Sequence, residues 1–548
     1  MRDLNIPRTP SAYDYPLLIG HLLSTLEVSH PHQQIVYSDQ RRISYLEFHE
    51  RVKRLANALV DLGVQPGDTV AVMDWDSHRY LECFFAVPMI GAVLHTINIR
   101  LSPEQILYTV NHAADTVLMV HDDFLELATG LAGQAASVKY WVRLCDDTAS
   151  VAKGKTDINF AGEYESLLDS ASPLHDTRDF DENIRATTFY TTGTTGRPKG
   201  VYFSQRQLVL HTLGLGIALS SNPEQGRLHA SDVYMPITPM FHVHAWGVPY
   251  LVTLLGVKQV YPGRYEPAKL LQLIQDEGVT FSHCVPTIMH MLLSDPMAEK
   301  VDLSQWKVII GGSALSPALA QRARDLGIDV FGGYGMSETG PVLTLAQIKG
   351  SAEELNSDEA LTYRCKGGRP VPMVELKIVD PDFREQPHDG VTTGEVVVRA
   401  PWLTQGYLND PERSEELWTN GYLHTGDIGH IDAKGYLKIT DRLKDVIKSG
   451  GEWISSLELE DLALGAPSVS EAAVIGVVDE KWGERPLVLV VGKETEIDCS
   501  EVAARFAQAA KAGVISEWAV PERIEQVDAI PKTSVGKIDK KRLREQFG

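Results

Sequence analysis

The sequence predicts an α/β protein with largely parallel sheets, followed by a smaller α+β domain. Patterns typical of strands and helices alternate along most of the 548 residues. A strand pattern precedes a helix pattern in "DTVAVMD" with "HRYLECFFAVPMIGAVL", in "VTFSHCVPTIMHMLL" and in "WKVIIGGSALSPALAQRARDLG". Such alternation is characteristic of parallel sheets covered by helices. At roughly 100 to 200 residues per domain, the length indicates three or four structural units.

The last third of the chain departs from this pattern twice. Short segments such as "VELKIVD", "GEVVVRA" and "GYLKIT", separated by Gly, Pro and Asp, predict a small antiparallel β unit over 366–440. After "DRLKDVIKSGGEW" the pattern begins again, with the strands "EAAVIGVVDE" and "PLVLVVGKE" and the helix "DCSEVAARFAQAAKAG". We therefore place an N-terminal domain at 1–441, a connection at 442–445 and a C-terminal domain at 446–548.

Helix starts and one long apolar segment are also readable. Ser316, followed by Pro317, is expected to cap one helix, and Asp498 another. Ser204 and Gln207 have the spacing of a capping box. The apolar residues 84–94 are too few to span a bilayer, so we expect a core helix there, although peripheral membrane contact stays compatible with the sequence. The N-terminus is a poor signal peptide.

Composition excludes several classes of protein. Hydrophobic residues make up 43% and charged residues 23%, as in ordinary globular proteins. With 51 basic and 73 acidic side chains, the net charge of −22 argues against nucleic acid as a partner. The five cysteines are scattered and never form CxxC, which excludes a disulfide framework or a cysteine zinc site as the organising feature. A cytoplasmic location is expected.

The segment "YTTGTTGRPKG" at 190–200 has the chemistry of a phosphate-binding loop. Glycine lets backbone N–H groups approach oxygen atoms closely, threonine hydroxyls add donors, and lysine adds charge. The strand pattern "ATTFY" precedes the loop, and a helix is expected after it. The spacing matches neither the Walker pattern nor GxGxxG, and a flexible surface turn is the alternative. The candidate ligands are Thr191, Thr192, Gly193, Thr194, Thr195, Gly196 and Lys199.

This loop closely resembles the signature of the acyl-adenylate-forming superfamily, which includes acyl-CoA synthetases, nonribosomal adenylation domains and luciferases. Further motifs of the superfamily follow in order over nearly the whole chain. The resemblance implies a large N-terminal domain with two α/β sheet subdomains and a small β-barrel, and a mobile C-terminal domain. It also implies ATP and Mg²⁺, and CoA as co-substrate.

Two further motifs are assigned to the nucleotide by resemblance. In "FGGYGMSETG", Tyr334 is expected to stack on adenine, Thr339 to contact the α-phosphate and act in catalysis, and Glu338 to bind Mg²⁺ with Thr191. A carboxylate beside phosphate oxygens requires a cation between them. Ser337 as a helix cap, with Glu338 in its first turn, is the alternative. The remaining nucleotide contacts implied here are Gly333, Gly335, Met336 and Ser337.

The second motif and the connection complete the nucleotide and thiol sites. In "GYLHTGDIG", Asp427 matches the family's ribose ligand, with a β-turn aspartate as the alternative. In "DRLKDVIKSGGEWIS", Arg442 matches a ribose or phosphate arginine, and Trp453 is expected to pack on the nucleotide. Residues matching the tunnel for the CoA thiol are Gly450, Gly451 and Glu452.

The C-terminal segment "PKTSVGKIDKKRLRE" carries Lys537, which matches the catalytic lysine of the superfamily. That lysine bridges the carboxylate oxygen and the α-phosphate, where an ammonium stabilises charge that develops in the transition state. The neighbouring basic residues are expected to form only a solvated helix: Lys540, Lys541, Arg542 and Arg544. Lys444 is the expected hinge for rotation of the C-terminal domain, with a solvated loop lysine as the equally weighted alternative.

The acid is indicated by "PMFHVHAWGVPY" at 239–250. His242 matches a catalytic histidine near the acyl carboxylate, and Trp246 matches the gating tryptophan of fatty acyl-CoA synthetases. Gly312 and Ala314 in "GGSALS" are small enough to leave room for an acyl chain. The pattern is closest to bacterial medium- and long-chain fatty acyl-CoA synthetases. A ligase for a short or thioether acid such as methylmercaptopropionate is the alternative, and a homodimer is an assembly that the resemblance allows.

Four other functions can be distinguished from that of a CoA ligase. A nonribosomal adenylation module is disfavoured because no carrier domain follows Lys537. A luciferase shares the adenylation half-reaction and is separated from a ligase by assay for a CoA thioester. A kinase would release ADP rather than AMP. A regulator that binds ATP without turnover would be expected to lack Glu338 or Lys537, and both are present.

Overall fold

The computed structural model describes residues 6–7, 9–146, 156–175, 178–191, 197–223, 225–348, 357–449, 452–479, 481–493, 497–532 and 538–548. Four groups of predicted site residues therefore lie outside the described residues: Thr192 to Gly196, Gly450, Gly451 and Lys537. The side chains of Glu452 and Trp453 are likewise not described.

The described strands are numbered in chain order. They are β1 (Gln34–Tyr37), β2 (Arg41–Ser44), β3 (Thr69–Met73), β4 (Val93–Thr96), β5 (Asp115–His121), β6 (Tyr140–Leu144), β7 (Phe160–Glu163), β8 (Arg185–Thr191), β9 (Lys199–Ser204), β10 (Val233–Pro236), β11 (Lys258–Tyr261), β12 (Phe281–Cys284), β13 (Lys307–Ile310), β14 (Asp329–Gly335), β15 (Val342–Leu345), β16 (Arg369–Pro370), β17 (Glu375–Val379), β18 (Gly394–Arg399), β19 (Trp418–Thr419), β20 (Tyr422–Ile431), β21 (Leu437–Arg442), β22 (Ile447–Ser449), β23 (Glu452–Ile454), β24 (Val469–Asp479), β25 (Gly483–Gly492) and β26 (Arg523–Gln526).

The described helices are numbered in the same way. They are α1 (Leu26–Ser29), α2 (Tyr45–Asp61), α3 (His78–Met89), α4 (Pro103–Ala113), α5 (Leu125–Ala132), α6 (Tyr164–Ser170), α7 (Gln205–Ser220), α8 (Val243–Trp246), α9 (Val248–Leu254), α10 (Pro267–Glu277), α11 (Pro286–Ser294), α12 (Pro317–Asp325), α13 (Ser357–Arg364), α14 (Pro411–Glu416), α15 (Ser456–Leu464), α16 (Cys499–Lys511) and α17 (Lys540–Phe547).

Two large, mostly parallel sheets form the core of the N-terminal part. Among the described strands, one sheet has the order β7-β6-β5-β3-β4-β8-β9, and only β9 is antiparallel to its neighbour. The other has the order β16-β15-β14-β13-β12-β10-β11-β1-β2, with antiparallel pairs at both edges. Strands such as β3 and β5 are buried along their whole length, as expected for parallel strands covered on both faces. The predicted α/β class is confirmed.

The β-rich unit and the C-terminal domain each have their own sheet. Strands β17 to β21 form an antiparallel sheet in which β18 and β20 are central. Within the described strands β17 does not pair with β19 or β21, so this unit is an open sheet there rather than the small closed barrel that the resemblance implied. Strands β22 to β26 form the C-terminal sheet, which packs α15 and α16 around a separate apolar core.

The predicted caps are confirmed, and one predicted helix is too long. Ser316 and Asp498 accept backbone hydrogen bonds at the starts of α12 and α16. Helix α3 ends at Met89, and residues 93–96 form β4 instead of continuing the expected helix over 84–94. Gly91 has a φ of 74°, which is unfavourable for other residues, and its backbone lies against the ring of Phe180. This glycine turns the chain from the helix into the sheet.

Candidate active site

The phosphate loop joins two antiparallel strands. β8 ends at Thr191, which pairs with Lys199 at the start of β9, so both predicted ligands stand at the base of the loop. The expected helix follows the loop as α7, and β9, a strand that the sequence did not predict, lies between them. Its aromatic and β-branched residues favour the extended strand. The capping box of Ser204 and Gln207 is confirmed at the start of α7.

A basic cavity opens beside this hairpin. It has a volume of about 260 Å³ and lies between α4, the start of β9 and the segment before α14. The side chains of Arg197, Lys199, Arg413 and His112 contribute to its wall. The ammonium of Lys199 lies 4.4 Å from the centre of the Tyr407 ring, a cation–π distance. The wall of this cavity therefore carries three cationic side chains and the Asp410 carboxylate.

Three strands bring Tyr334, Asp427 and Arg442 into direct contact. Asp427 and Arg442 are cross-strand neighbours on β20 and β21, and Tyr334 reaches them from β14. The Tyr334 hydroxyl donates to Asp427 Oδ2 at 2.7 Å, and Arg442 Nε lies 2.6 Å from Asp427 Oδ1. Burial and the adjacent Asp427 carboxylate raise the pKa of Tyr334 well above its usual value. The cluster offers a flat ring, a fixed carboxylate and a guanidinium, the groups that recognise a nucleoside phosphate.

The segment after β14 holds Glu338 and Thr339 in the interior. Glu338 is 8% exposed and accepts a hydrogen bond from the Tyr407 hydroxyl at 2.8 Å. The Thr339 hydroxyl lies 2.5 Å from the Pro341 carbonyl and 3.0 Å from the Met336 carbonyl and amide nitrogen, so it is engaged within its own segment. Its N–H donates to the Met336 carbonyl. Ser337–Thr339 is a single 3₁₀ turn followed by β15, which disfavours the helix-cap alternative.

Gly335 permits the tight course of this segment. A Cβ atom at this position would lie 1.8 Å from the Pro341 carbonyl oxygen. No side chain fits at that distance, so only glycine allows β14 to pass against the return of the chain. The segment thereby places Tyr334 and Glu338 on one side of β14's end, where both face residues from the β-rich unit.

The two predicted oxygen donors, Glu338 and Thr191, fit Mg²⁺ only as an ion shared with substrate. Within the described ranges, no three His, Cys, Asp or Glu side chains form a group able to hold a metal. Glu338 offers a buried carboxylate and Thr191 a hydroxyl, both hard oxygen donors. Mg²⁺ is commonly bound by one or two carboxylates together with phosphate oxygens. These residues therefore fit a magnesium ion that arrives with a nucleotide.

The segment around Trp246 has an unusual backbone. Residues 243–246 form α8 with φ between 47° and 60°, a left-handed turn that is costly for residues with a Cβ. The Trp246 indole stacks on the His283 imidazole, with 4.8 Å between ring centres. A Cβ on Gly311 would meet the Trp246 ring at 2.9 Å, so this glycine makes room for the tryptophan. His242 directly precedes the turn and packs on Phe241.

The predicted acyl-site residues Gly312 and Ala314 are exposed and follow the buried Gly311. Gly312 has a φ of 79°, so it shapes the turn after β13. Gly311 belongs to the segment "GGSALS", but its contact with Trp246 was not predicted, and neither was that of His283. The doubled glycine in "IIGGSA" was the available signal for Gly311, whereas nothing in the sequence marks His283 as a partner of an aromatic ring.

Three histidines around this segment predict a loss of stability in acid. Burial lowers the pKa of His211, His244 and His283 to about 3, from an ordinary value of 6.5. A depressed pKa adds stability that is complete above the unfolded value and disappears as the pH falls through the window from about 6.5 towards 3. At about 1.4 kcal/mol per pH unit, each histidine costs roughly 2 kcal/mol at pH 5.

We therefore expect the free energy of unfolding in urea to be lower at about pH 5 than at about pH 7.5. The matched variant is His244→Gln, which removes one titrating ring and keeps a side chain able to bond to the Thr187 hydroxyl, 2.7 Å from His244 Nε2. The difference between the two pH values should shrink by roughly 2 kcal/mol in the variant. An unchanged difference would contradict the assignment of a neutral, buried His244.

The connection between the domains is a tight turn. The Asp445 and Val446 N–H groups both donate to the Arg442 carbonyl, and the Leu443 N–H donates to the Gly426 carbonyl. Lys444 is exposed at the tip of this turn, which fits either the hinge or the solvated-lysine interpretation. Across the connection, the Ser456 N–H donates to Asp441 Oδ2 at 2.5 Å, so the end of β21 caps the start of α15.

The expectation of a purely solvated basic helix at the C-terminus is wrong for two residues. Lys540 is 7% exposed, and its ammonium lies 2.8 Å from Glu460 Oε1. Arg544 pairs with Asp445 at 2.6 Å. Helix α17 buries Leu543 against β24 and β25, which draws these two side chains inward. Lys541 and Arg542 are exposed as expected.

The fold combines two α/β sheets, a β-rich unit and a separate C-terminal sheet, and the cluster of Tyr334, Asp427 and Arg442 suits a nucleotide. Together these features are those of an acyl-adenylate-forming enzyme. Comparison with family models agrees: the "AMP-binding enzyme" model matches residues 27–408, and the "AMP-binding enzyme C-terminal domain" model matches 458–537. The chain belongs to the AMP-binding enzyme family. The resemblance found in the sequence is confirmed, and with it the class of enzyme, an acid–thiol ligase.

Three curated relatives illustrate the breadth of substrates. The chain is 40% identical to the long-chain-fatty-acid–CoA ligase of Thermus thermophilus, over 92% of this chain and 90% of that protein. It is 38% identical to the 3-methylmercaptopropionyl-CoA ligase of Ruegeria lacuscaerulensis, over 97% of each. It is 36% identical to the medium-chain-fatty-acid–CoA ligase of Ectopseudomonas oleovorans, over 97% of this chain and 96% of that protein.

Solved structures agree on the fold. MatB from Rhodopseudomonas palustris, solved with bound ATP, superposes with a TM-score of 0.81 at 25% identity, covering 97% of this chain and 99% of MatB. The anthranilate CoA ligase AuaEII, solved with anthranoyl-AMP, gives 0.82 at 23% identity, covering 97% and 98%. None of the described helices is both long and apolar enough to cross a membrane.

Proposed function

We propose that the protein is an ATP-dependent fatty acid–CoA ligase. It joins a fatty acid to AMP with release of pyrophosphate, and CoA then displaces AMP to give acyl-CoA. The observation that carries this proposal is the contact of Tyr334, Asp427 and Arg442, residues from three strands whose groups suit a nucleoside phosphate. The ATP-bound MatB structure supports ATP as the nucleotide.

In the first half-reaction, residues of both domains act on one ATP. Tyr334 stacks on adenine, Asp427 accepts from the ribose hydroxyls, and the hairpin with Lys199 holds the β- and γ-phosphates. Mg²⁺, when bound, neutralises phosphate charge, and Glu338 with Thr191 would hold it. Lys537 bridges the incoming carboxylate and the α-phosphate, which brings two anions together for attack.

Because the scheme assigns charge stabilisation to Lys537, Thr339 and His242 have supporting roles. Thr339 lies at the α-phosphate, and its hydroxyl is already fixed by Met336 and Pro341. His242 stands at the acyl carboxylate, at the base of the left-handed turn. In the proposed scheme both position reactants, while the lysine stabilises the charge that develops.

The second half-reaction needs a different group at the acyl carbon. We propose that the C-terminal domain rotates about Lys444, withdraws Lys537 and brings 450–452 to the site as the wall of a thiol tunnel. The thiolate of CoA then attacks the acyl carbonyl, and AMP leaves. Trp453 packs on the nucleotide in this scheme. The tight turn at 442–446 supplies a short segment in which a rotation can be confined.

A medium-chain acid, with long-chain acids next, is the proposed substrate. The relatives include long-chain and medium-chain ligases, which supports an apolar acyl tail. Trp246 rests on His283 and over Gly311, and in this scheme it gates the entry to the acyl tunnel. A 3-methylmercaptopropionyl-CoA ligase of similar identity keeps the short thioether acid as the second candidate. A cytoplasmic homodimer with peripheral membrane contact completes the proposal.

The test is the rate of acyl-CoA formation with ATP, Mg²⁺ and CoA over straight-chain acids from acetate to palmitate, with methylmercaptopropionate added. We expect the highest kcat/KM for medium-chain acids, because medium- and long-chain ligases are among the relatives and Trp246 is the proposed gate for an apolar tail. A maximum at acetate, propionate or methylmercaptopropionate would contradict the fatty-acid assignment and favour the second candidate. Trp246→Ala is the matched variant, and it should change KM for the acid more than KM for ATP.

A further inference from the structure

Tyr407 contacts both Glu338, which is assigned to Mg²⁺, and Lys199, which is assigned to the phosphates. Its hydroxyl donates to Glu338 Oε1 at 2.8 Å, and its ring carries the Lys199 ammonium at 4.4 Å from the ring centre. We propose that Tyr407 is a positioning residue that keeps Glu338 and Lys199 apart, so that the carboxylate stays available to Mg²⁺ and the ammonium to phosphate. This inference rests on the proposed function and assigns a new residue to it.

The backbone around Tyr407 is hydrogen-bonded both to α14 and to the phosphate hairpin. The Tyr407 N–H donates to the Ser414 hydroxyl, within α14, at 2.8 Å. The next residue, Leu408, donates its N–H to the Gly200 carbonyl at 2.8 Å, and Tyr407 itself forms a bridge with Val201 of β9. The tyrosine is therefore tied to the phosphate hairpin through the main chain and to Glu338 through the side chain.

The side chain is placed to donate to the carboxylate. Tyr407 is 7% exposed, and its hydroxyl lies 2.8 Å from Glu338 Oε1. A neutral donor orients Glu338 without cancelling its charge, as outer-shell partners of metal ligands do.

The ring of Tyr407 likewise positions the Lys199 ammonium without cancelling its charge. A lysine over a tyrosine ring is held by the ring quadrupole and keeps its full charge. Within the described part of the chain, Lys199 and Glu338 form no ion pair with each other, and each contacts Tyr407 instead. A direct pair would neutralise both groups before a nucleotide arrived. The tyrosine replaces that pair by two weaker contacts that a bound polyphosphate can outcompete.

Two variants separate the two contacts. Tyr407→Phe removes only the hydroxyl, and Tyr407→Leu also removes the ring. The matched control is Tyr422→Phe, because the Tyr422 hydroxyl donates to Glu375 and its ring carries Arg399 at 4.0 Å, outside the proposed site. The full-length protein is titrated with α,β-methylene-ATP, which resists cleavage at the α–β bond, and Mn²⁺ binding to the complex is followed by electron paramagnetic resonance.

We expect Tyr407→Phe to weaken Mn²⁺ binding about 10-fold or more, with metal-free binding of the analogue unchanged. Tyr407→Leu should in addition weaken metal-free binding roughly five-fold, because without the ring Lys199 is free to pair with Glu338 before the nucleotide arrives. Tyr422→Phe should match the wild type in both. Wild-type Mn²⁺ affinity in Tyr407→Phe, or an equal loss in Tyr422→Phe, would overturn the inference, and it can be read even if Tyr407→Leu does not fold.

The proposed function and this inference fail in different ways. A wild-type protein that forms acyl-CoA while Tyr407→Phe binds Mn²⁺ normally overturns only the role of Tyr407. A wild-type protein that forms no acyl-CoA with any acid overturns the proposed function, and the Mn²⁺ titration then still decides whether Tyr407 positions Glu338.

Discussion

Lys537→Ala is expected to lower the rate of adenylation by roughly 10²–10³-fold, the effect of removing one electrostatic contact to a transition state. The attack of a carboxylate on the α-phosphate brings two anions together, and the proposed scheme gives their charge one bridging ammonium. The measurement is acid-dependent exchange of pyrophosphate into ATP, with acyl-hydroxamate formation as a second readout. Thioester formation from supplied acyl-AMP should be retained, because the lysine is withdrawn in that step.

The matched control is Lys541→Ala. Lys541 is an exposed lysine four positions along the same segment, and its ammonium lies 3.7 Å from the Glu545 carboxylate within α17. Surface pairs of this kind contribute little to stability, so this variant should exchange pyrophosphate at the wild-type rate. Near-wild-type adenylation by Lys537→Ala, or a comparable loss in Lys541→Ala, would contradict the catalytic assignment.

Lys444→Pro is expected to spare adenylation and to slow thioester formation on the order of 10²-fold, the cost of a misplaced reactive group. Proline fixes φ at its own position and restricts the residue before it, so the turn at 442–446 loses the freedom that a rotation requires. The two half-reactions are measured separately, by pyrophosphate exchange and by single-turnover transfer from preformed acyl-AMP to CoA.

The control for this prediction is Lys444→Ala, which removes the side chain and leaves the backbone free. It should retain both half-reactions if Lys444 acts through its backbone. Equal losses of adenylation and thioester formation in Lys444→Pro would argue against a hinge at this residue. The Asp441 carboxylate accepts a hydrogen bond from the Ser456 N–H across the connection, so this contact is one that a rotation would have to accommodate.

Local rules were sufficient for much of the fold. Ser316 before Pro317 and the pair Ser204 and Gln207 gave helix starts, because an N-cap depends on residues within one turn. The same rules failed at 84–94, where apolar residues suit a buried helix and a buried strand equally well. There the left-handed Gly91 decides the outcome, and its requirement comes from packing against Phe180.

The residues of the candidate site likewise include some that the sequence indicated and some that it did not. Tyr334, Asp427 and Arg442 were assigned by motif, and the structure joins Tyr334 to Asp427 across 93 residues of chain. Tyr407 was missed, and Lys540 was wrongly expected to be solvated, because their contacts depend on partners distant in sequence. Tyr407 meets Glu338, 69 positions away, and Lys540 is buried against Glu460. "QGYLND" carries no chemical signal that distinguishes Tyr407 from other tyrosines of the chain.

The central claim is that one chain uses ATP to activate an acid as its adenylate and then transfers the acyl group to CoA. The most direct test is the product balance of the full-length enzyme with ATP, Mg²⁺, CoA and a medium-chain acid, followed by chromatography and mass spectrometry. We predict one AMP and one pyrophosphate for each acyl-CoA formed, with acyl-AMP accumulating when CoA is omitted. Release of ADP and phosphate, or AMP without any CoA thioester, would contradict the account.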